Sequence, residues 1–387
     1  MPIKNRFAEL QGEITKWRRD LHENPEILFE THRTSALVAE KLRAFGCDEV
    51  VTGIGRTGVV GVIRGRTDSA GKVIGLRADM DALPILEATG LEYASKTPGA
   101  MHACGHDGHT AMLLGAAQYL AETRNFDGTA VVIFQPAEEG GGGGREMCAD
   151  GMMERFGIQE VYGMHNWPGM PLGSFGIRPG AFFAATDQFE VKVKGRGGHA
   201  AKPMQTIDPI VVASQIVSAL QSIVSRNADP VERIVVSVTS FESSSTAFNV
   251  IPGHVTLRGT IRTMSDAGRK LGEERMKAIT TSTAQAFGAS AEISWMPGYP
   301  AMVNSEEQTE FAAEVARGVA GDCAAAEITM GGEDFAYMLE ERPGAYILVG
   351  NGDSADVHNA EYNFNDEVIP AGCSWWAGIV EQRMPVA

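Results

Sequence analysis

The chain has 387 residues, of which 44% are hydrophobic and 21% charged, and its formal net charge is −16. This length predicts roughly two to three domains. The acidic balance argues against partners such as nucleic acid or anionic membranes, because binding either would need a basic surface. The five cysteines are scattered and form no C-x-x-C pair, which favours a reduced, cytoplasmic setting. No uncharged apolar run approaches the roughly 18 residues that a membrane span needs.

The first half of the chain alternates between two kinds of apolar pattern. Helical spacing occurs over residues 7–21, 31–45, 108–123 and 146–156, and strand-like runs occur over 49–52, 58–63, 73–77, 129–134 and 160–164. Strands that alternate with helices are typical of a sheet that is covered on both faces. We therefore predict an α/β fold with a mostly parallel sheet.

The pattern changes near Thr186, where a half-exposed strand begins. From there to residue 299 the predicted order is β-α-β-β-α-β, the split arrangement of a ferredoxin-like α+β domain. Helices over 306–319, 334–341 and 370–383 and a strand over 345–349 then resume the earlier pattern. We therefore predict a discontinuous domain of residues 1–185 and 300–387, with residues 186–299 as an inserted domain.

Two glycine-rich stretches have the composition of nucleotide-binding loops but lack the context. Gly53–Gly58 matches G-x-G-x-x-G, yet a strand-like run follows it, and a dinucleotide site would need a helix there. We predict a hairpin turn instead. Gly140–Gly144 lacks the Lys-Ser/Thr pair of a phosphate loop. The chain also has no G-x-S-x-G elbow and no H-E-x-x-H helix, which argues against a serine hydrolase and a single-zinc metalloprotease.

Side chains that bind transition metals follow several of the predicted strands. The densest stretch, His102–His109, holds one thiol, three imidazoles and one carboxylate. Sites in α/β sheets form at the carboxyl ends of the strands. We therefore favour one shared metal site over separate buried polar groups. The candidate residues are Asp79, Asp81, Cys104, His106, Glu138, Glu139, His165 and His358.

These ligands are too numerous for one ion. A catalytic zinc keeps about three protein ligands, so two metals that share a thiolate would account for the excess. Such a pair activates a bridging water. One of the adjacent Glu138 and Glu139 can bind metal while the other faces the substrate as general base, and a binding module without catalysis would not need both. The ligand types are compatible with Mn, Zn, Co or Ni.

Seven short motifs occur in a fixed order along the chain. They are Arg18–Glu26, Arg77–Pro84, Ala103–His109, Pro136–Glu139, Gly163–Asn166, Gly195–Ala200 and Gly332–Phe335. This set resembles the amidohydrolase branch of the dinuclear-metal aminoacylase and carboxypeptidase family. That branch includes hippurate hydrolases, N-acyl-amino-acid amidohydrolases and plant auxin-conjugate hydrolases, and the resemblance covers essentially the whole chain.

The resemblance implies a role for most of the candidate residues. The implied metal ligands are Cys104, which would bridge two divalent ions, and His106, Glu139, His165 and His358. Glu138 would be the general base, and Asp81 would steady the metal site. Asp79 stands where the wider family has a metal-binding histidine, so it is not assigned as a ligand. We expect His109 to cap a helix or to hydrogen-bond near the site, and we leave the role of Gly332–Phe335 open.

The inserted domain is implied to be a lid that also dimerises. His199 would stabilise the oxyanion, often in the site of the partner subunit, and Asn249 and Arg262 would hold the α-carboxylate of the substrate. The expected protein is a cytoplasmic homodimer or homotetramer that hydrolyses N-benzoyl or N-acetyl amino acids through a metal-bridging water. A dipeptidase or carboxypeptidase on the same scaffold is the alternative, and a non-catalytic metal-binding module ranks below both.

Overall fold

The computed structural model of the protein describes residues 4–386. Helices and strands alternate through this range, as the apolar patterns predict. The helices are α1 (Asn5–Glu23), α2 (His32–Ala44), α3 (His106–Thr123), α4 (Gly143–Ala149), α5 (Met152–Arg155), α6 (Pro209–Leu220), α7 (Asp266–Ala286), α8 (Glu306–Ala320), α9 (Ala336–Glu341) and α10 (Ile369–Arg383).

The strands range from two to ten residues in length. They are β1 (Glu49–Ile54), β2 (Gly58–Arg64), β3 (Val73–Asp79), β4 (Thr129–Gln135), β5 (Glu160–Pro168), β6 (Phe175–Ile177), β7 (Gly180–Phe183), β8 (Ala185–Lys194), β9 (Gly198–His199), β10 (Ile234–Ser243), β11 (Val250–Ile251), β12 (His254–Thr263), β13 (Ser290–Pro297), β14 (Met302–Asn304), β15 (Ala324–Ala325) and β16 (Gly344–Gly352).

The described chain divides into two compact units. The first runs to Gly180 and continues over Val303–Glu327 and from Asp334 onward, and the second comprises Ala181–Met302 and Ile328–Glu333.

The first unit is built on an eight-stranded sheet in the order β1-β2-β4-β3-β5-β16-β6-β15. Its central strands β4, β3, β5 and β16 run parallel, and almost every residue in them is buried. Strands buried on both faces have near-continuous apolar sequences, and these four do. The predicted α/β class with a mostly parallel sheet is confirmed, and so is the predicted hairpin, because β1 and β2 pair antiparallel around Gly53–Gly58.

Parallel pairing brings the ends of three strands to one edge of this sheet. Asp79 at the end of β3 lies in register with Gln135 at the end of β4. Arg77 on β3 lies opposite Gly163 on β5, two residues before His165. The segments that carry Asp81 and Glu138–Glu139 therefore leave the sheet at the same edge, beside the part of β5 that carries His165.

Helix α3 fixes the position of the residues at its start because it is buried along most of its length. A helix that is apolar on all sides belongs in a core, and α3 packs against α1 and α10. At their contact, a Cβ on Gly115 would come within 2.5 Å of Ile14 Cδ1 and 2.9 Å of Cys373 Sγ. A side chain at this position would have to displace Ile14 and Cys373. At the start of α3, the Thr110 hydroxyl donates to the Asp79 carbonyl at 2.8 Å, which holds this end of the helix at β3.

Several predicted elements have different bounds in the structure. The helix predicted over 146–156 is two short helices, because Gly151 adopts a left-handed φ of 75° and separates them. The helix predicted over 334–341 begins only at Ala336. The strand predicted over 160–164 continues to Pro168, since it keeps pairing with β16 beyond Met164.

The second unit contains a four-stranded antiparallel sheet in the order β10-β12-β8-β13. Along the chain its main elements are β8, α6, β10, β12, α7 and β13. Alternate residues of β8, namely Phe189, Val191 and Val193, are buried in a core shared with α6 and α7. The residues between them are polar and lie on the other face of the sheet, as the period-2 pattern of a half-exposed strand requires.

Within residues 4–386, none of the helices combines the length and the apolar character that crossing a membrane would require.

Candidate metal centre

Two adjacent glutamates are held by one buried aspartate. The Asp81 carboxylate accepts hydrogen bonds from the backbone N–H of Glu138 at 2.9 Å and of Glu139 at 3.1 Å. Ala137, just before them, has a left-handed φ of 54°, a conformation that is unfavourable for alanine. The turn after β4 is therefore fixed by the carboxylate that follows β3, and the two glutamate side chains leave it in set directions.

Cys104 and His106 reach the same region through a tight turn at Gly105. Gly105 has φ 90°, and a Cβ there would lie 2.2 Å from Asn166 Nδ2 and 2.5 Å from the Tyr362 hydroxyl. Asn166 Nδ2 also donates to the Cys104 carbonyl at 2.7 Å. The close backbone approach expected at Gly105 is thus present, and it brings the thiol beside the end of β5.

His165, inside β5, presents one ring nitrogen to this thiol. Its Nδ1 donates to the Asn166 carbonyl at 2.5 Å, and its Nε2 lies 3.3 Å from Cys104 Sγ. A ring whose Nδ1 carries the proton has its Nε2 lone pair available for a metal ion. Cys104, His106 and His165 form one group whose potential ligand atoms lie within 4.8 Å of one another.

His358 completes the set from a loop after β16. The ring Nε2 of His358 lies 3.4 Å from Glu139 Oε1, and the backbone N–H of His358 donates to the Ala103 carbonyl at 2.7 Å. The residue has a left-handed φ of 65°. Residues with a strained backbone conformation of this kind are concentrated at functional sites. Cys104, Glu139 and His358 form a second group of possible ligands.

Several buried polar atoms in this cluster fit a metal ion. Both ring nitrogens of His106 and Oε1 of Glu139 are buried without a hydrogen-bond partner, although groups of this kind normally have one. His106 lies between carboxylates, with Nδ1 3.6 Å from Asp81 Oδ1 and Nε2 3.9 Å from Glu139 Oε1. Sulfur, imidazole and carboxylate together suit a borderline divalent cation, so the donor set fits the implied metal.

The electrostatics of the cluster also favour a cation. Burial raises the pKa of the Cys104 thiol, and Glu139 and Glu138 raise it further. Burial lowers the pKa of His106, but the opposing charges of Asp79, Asp81 and Glu139 outweigh it and raise the pKa to about 10. Without a cation the negative charge is therefore compensated by protons, which a bound metal would displace.

Two candidate residues already have other partners. His109 Nδ1 donates to Asp79 Oδ1 at 2.6 Å, and His109 Nε2 accepts from the Asn166 N–H at 2.9 Å. The second oxygen of Asp79 accepts from Arg77 at 2.8 Å. With its ring nitrogens engaged, His109 has the hydrogen-bonding position expected for it, and Asp79 remains unassigned as a ligand.

Three site residues predicted from the sequence lie in the second unit. His199 is exposed on β9, and its Nδ1 accepts from the Ala201 N–H at 3.1 Å. The Ala200 N–H donates to the Asn249 carbonyl at 3.0 Å, so His199 and Asn249 are neighbours. Arg262 is half-buried near the far end of β12, roughly 27 Å along the strand from its start at His254. One copy of this unit therefore does not bring all three residues together.

A buried polar network beside the cluster was missed by the sequence reasoning. It links Arg77, Gln135 and Asp334, each fully buried, through contacts between 2.7 and 2.9 Å. A signal for it does exist, since an arginine inside an apolar strand needs buried partners. The partners themselves are up to 257 residues away along the chain, and the sequence gives no means of choosing among the acidic residues.

This geometry, with ligands from four segments beside a pair of glutamates, is typical of a metal-dependent hydrolase. The model of peptidase family M20/M25/M40 matches residues 75–382, and the chain belongs to this family. The predicted membership of its amidohydrolase branch is confirmed by the relatives described next. The protein is a metal-dependent amidohydrolase.

Two curated relatives match nearly the whole chain. The hippurate hydrolase of Campylobacter jejuni is 44% identical over 96% of this chain and 96% of its own length. The N-acetylcysteine deacetylase of Bacillus subtilis is 39% identical over 94% and 95%. Among solved structures, the Bacillus subtilis YXEP protein, described as a dinuclear metal binding peptidase from the M20 family, has a TM-score of 0.86 at 35% identity. That match covers 97% of this chain and 99% of the other.

Proposed function

We propose that the protein hydrolyses the amide bond of N-acyl-amino acids, of the hippurate or N-acetyl type, to a carboxylate and a free amino acid. The observation that carries this proposal is the placement of Glu138 beside five convergent side chains that can hold metal. The names of the relatives, a hippurate hydrolase and a deacetylase, support the same substrate class.

Two divalent ions would be held by Cys104, shared between them, and by His106, Glu139, His165 and His358. The two groups of possible ligands, which meet at Cys104, support this division. The dinuclear description of the YXEP protein supports the number. When bound, such a pair activates a water molecule and polarises the amide carbonyl. Mn, Zn, Co and Ni are all compatible with these ligands.

Glu138 would act as general base and then as general acid. Glu138 is 7% exposed, and the hydrogen bond from its backbone N–H to Asp81 fixes its backbone. It belongs to a group of possible ligands with His106 and Glu139, so it lies within reach of the reacting water. Glu138 would take a proton from that water as the water oxygen attacks the amide carbonyl carbon. It would then pass this proton to the leaving nitrogen, so that the C–N bond breaks and a carboxylate and a free amine form.

His199, Asn249 and Arg262 would serve the substrate from the second unit, which we propose is a lid and a dimerisation domain. His199 would donate to the oxyanion, and an arginine can pair with the α-carboxylate through two parallel hydrogen bonds. The separation of Arg262 from the His199–Asn249 pair supports a site shared by two copies of the chain. The cysteines, all unpaired in the described range, favour a reducing cytoplasm.

A substrate panel tests this proposal. Metal-stripped protein is reconstituted in turn with Mn, Zn, Co and Ni and assayed on hippurate, N-acetyl amino acids and dipeptides. We expect turnover of the N-acyl-amino acids that is lost in EDTA. Turnover of dipeptides alone would favour the dipeptidase alternative, and metal binding without hydrolysis of any amide would favour a binding module.

A further inference from the structure

A guanidinium lies fully buried in the middle of the large sheet. Arg77 is on β3, and its side chain has no solvent exposure. It donates to Asp79 Oδ2 at 2.8 Å, to Gln135 Oε1 at 2.9 Å and to Asp334 Oδ1 at 2.9 Å. Burying one cation with two carboxylates is costly, and a well-packed apolar residue would serve the sheet as well.

One end of this network holds the loop that follows the two glutamates. The Asp334 carboxylate accepts two hydrogen bonds from Gln135 Nε2, at 2.7 and 2.9 Å, and one from the Gly144 N–H at 2.8 Å. A Cβ on Gly144 would lie 2.8 Å from the Asp334 carbonyl oxygen, so this position requires glycine. The glycine run therefore packs against Asp334 at Gly144, and along the chain it begins directly after Glu139.

The other end holds the segment that contains His165. Asp79 accepts from His109, which in turn accepts from the Asn166 N–H. The Asn166 side chain donates to the carbonyl of Cys104. Both ends of the network therefore bond backbone amides of segments that carry proposed metal ligands. One is the N–H of Asn166, next to His165, and the other is the N–H of Gly144, at the end of the loop that follows Glu139 and returns to the Ala137 carbonyl through the Gly143 N–H at 3.1 Å.

We propose that Asn166, His109, Asp79, Arg77, Gln135 and Asp334, here called the Asp334 network, form a positioning device for the metal site. The network sets the spacing between the segments that carry Cys104, Glu139 and His165, and Asp334 is the positioning residue at its Gly144 end. This inference assigns a role to the Gly332–Phe335 motif, and it rests on the metal site of the proposed function.

The test is a cobalt titration of Asp334→Asn, which keeps the shape of the side chain and removes its charge. Stripped protein is titrated with Co²⁺ while the d–d and thiolate charge-transfer absorption is recorded. Partners that orient ligands typically contribute about 10–100-fold in metal affinity. We expect two Co²⁺ ions to bind with affinity weakened by about that factor, and with a changed visible spectrum.

The matched control is Glu160→Gln, which breaks a partly buried ion pair elsewhere in the same unit. Glu160 receives two hydrogen bonds from Arg383 at 2.7 and 2.9 Å, at the opposite end of β5 from His165. This variant should lose thermal stability but keep the wild-type cobalt affinity and spectrum. If Asp334→Asn behaves in the same way, the network is merely structural and the inference is overturned.

Two further variants keep the outcome decisive. If Asp334→Asn does not fold, Gln135→Met removes the hydrogen bonds to Asp334 without changing any charge. It should also weaken cobalt binding, and wild-type affinity there overturns the inference. Cys104→Ala separates the two proposals: if it keeps both ions at wild-type affinity, the proposed metal site fails. If it loses metal while Asp334→Asn binds as wild type, only the Asp334 network fails.

Discussion

Asp81→Asn should damage the metal site out of proportion to the size of the change. Asp81 is 1% exposed, and its two oxygens accept the N–H groups of Glu138 and Glu139. An asparagine has one oxygen, so its amide nitrogen would face one of these N–H donors. A buried donor left unsatisfied costs about 1–3 kcal/mol, which corresponds to roughly a 5- to 150-fold change in an equilibrium constant.

This cost should appear in metal affinity and in turnover, because the two glutamates would lose their fixed backbone. The assay combines a cobalt titration with hydrolysis of an N-acyl-amino acid at saturating metal. Circular dichroism and thermal melting in EDTA, with Glu160→Gln as control, report whether the fold itself is affected. If Asp81→Asn melts at a lower temperature but keeps wild-type affinity and kcat, Asp81 supports only the fold and this reasoning is refuted.

Three other variants give separate tests. His109→Ala should still bind two metal equivalents at saturating metal, because both ring nitrogens have other partners; loss of one equivalent in a metal analysis would make His109 a ligand. Burial alone would raise the pKa of the Glu160 carboxyl, but Arg383 and Lys72 outweigh this effect and hold the pKa below its usual value. Urea unfolding should therefore show Glu160→Gln less stable than wild type at neutral pH by about 2–3 kcal/mol. This difference should be lost as the pH falls below the ordinary carboxyl range and through the lowered pKa of Glu160. The proposed dimer, in which His199 serves the partner's site, predicts that Glu138→Ala and His199→Ala, each inactive alone, regain up to about one quarter of wild-type activity when subunits are exchanged. A random mixture is half hybrid, and each hybrid has one intact site; no recovery would contradict a site shared between subunits.

The sequence was sufficient to predict the elements whose apolar residues form a long run or a clear alternation. β3, β4, β5 and β16 were predicted because strands buried on both faces have long apolar runs. The β-α-β-β-α-β order of the inserted segment was equally readable, since its strands alternate between apolar and polar residues. The short strands β6, β9, β11 and β15 were not predicted, because two or three residues carry no periodic pattern.

The candidate site could be predicted as a set of segments but not as a network. Cys104, His106 and Glu139 have chemistry that identifies them before any contact is known. Asp334 cannot be identified in this way, because an acidic residue just before a helix is common on protein surfaces. Only the fold brings Asp334 to Arg77. The sequence also could not show that Arg262 lies far from His199, since the distance between them depends on strand direction and register.

The most direct test of the proposed mechanism is a side-by-side measurement of metal content and turnover in Glu138→Ala. Glu138 is proposed to move protons rather than to hold metal. The account predicts two bound metal equivalents, as in the wild type, and no detectable hydrolysis of N-acyl-amino acids. Retained hydrolysis would contradict the role of Glu138 as general base, and loss of a metal equivalent would make it a ligand instead.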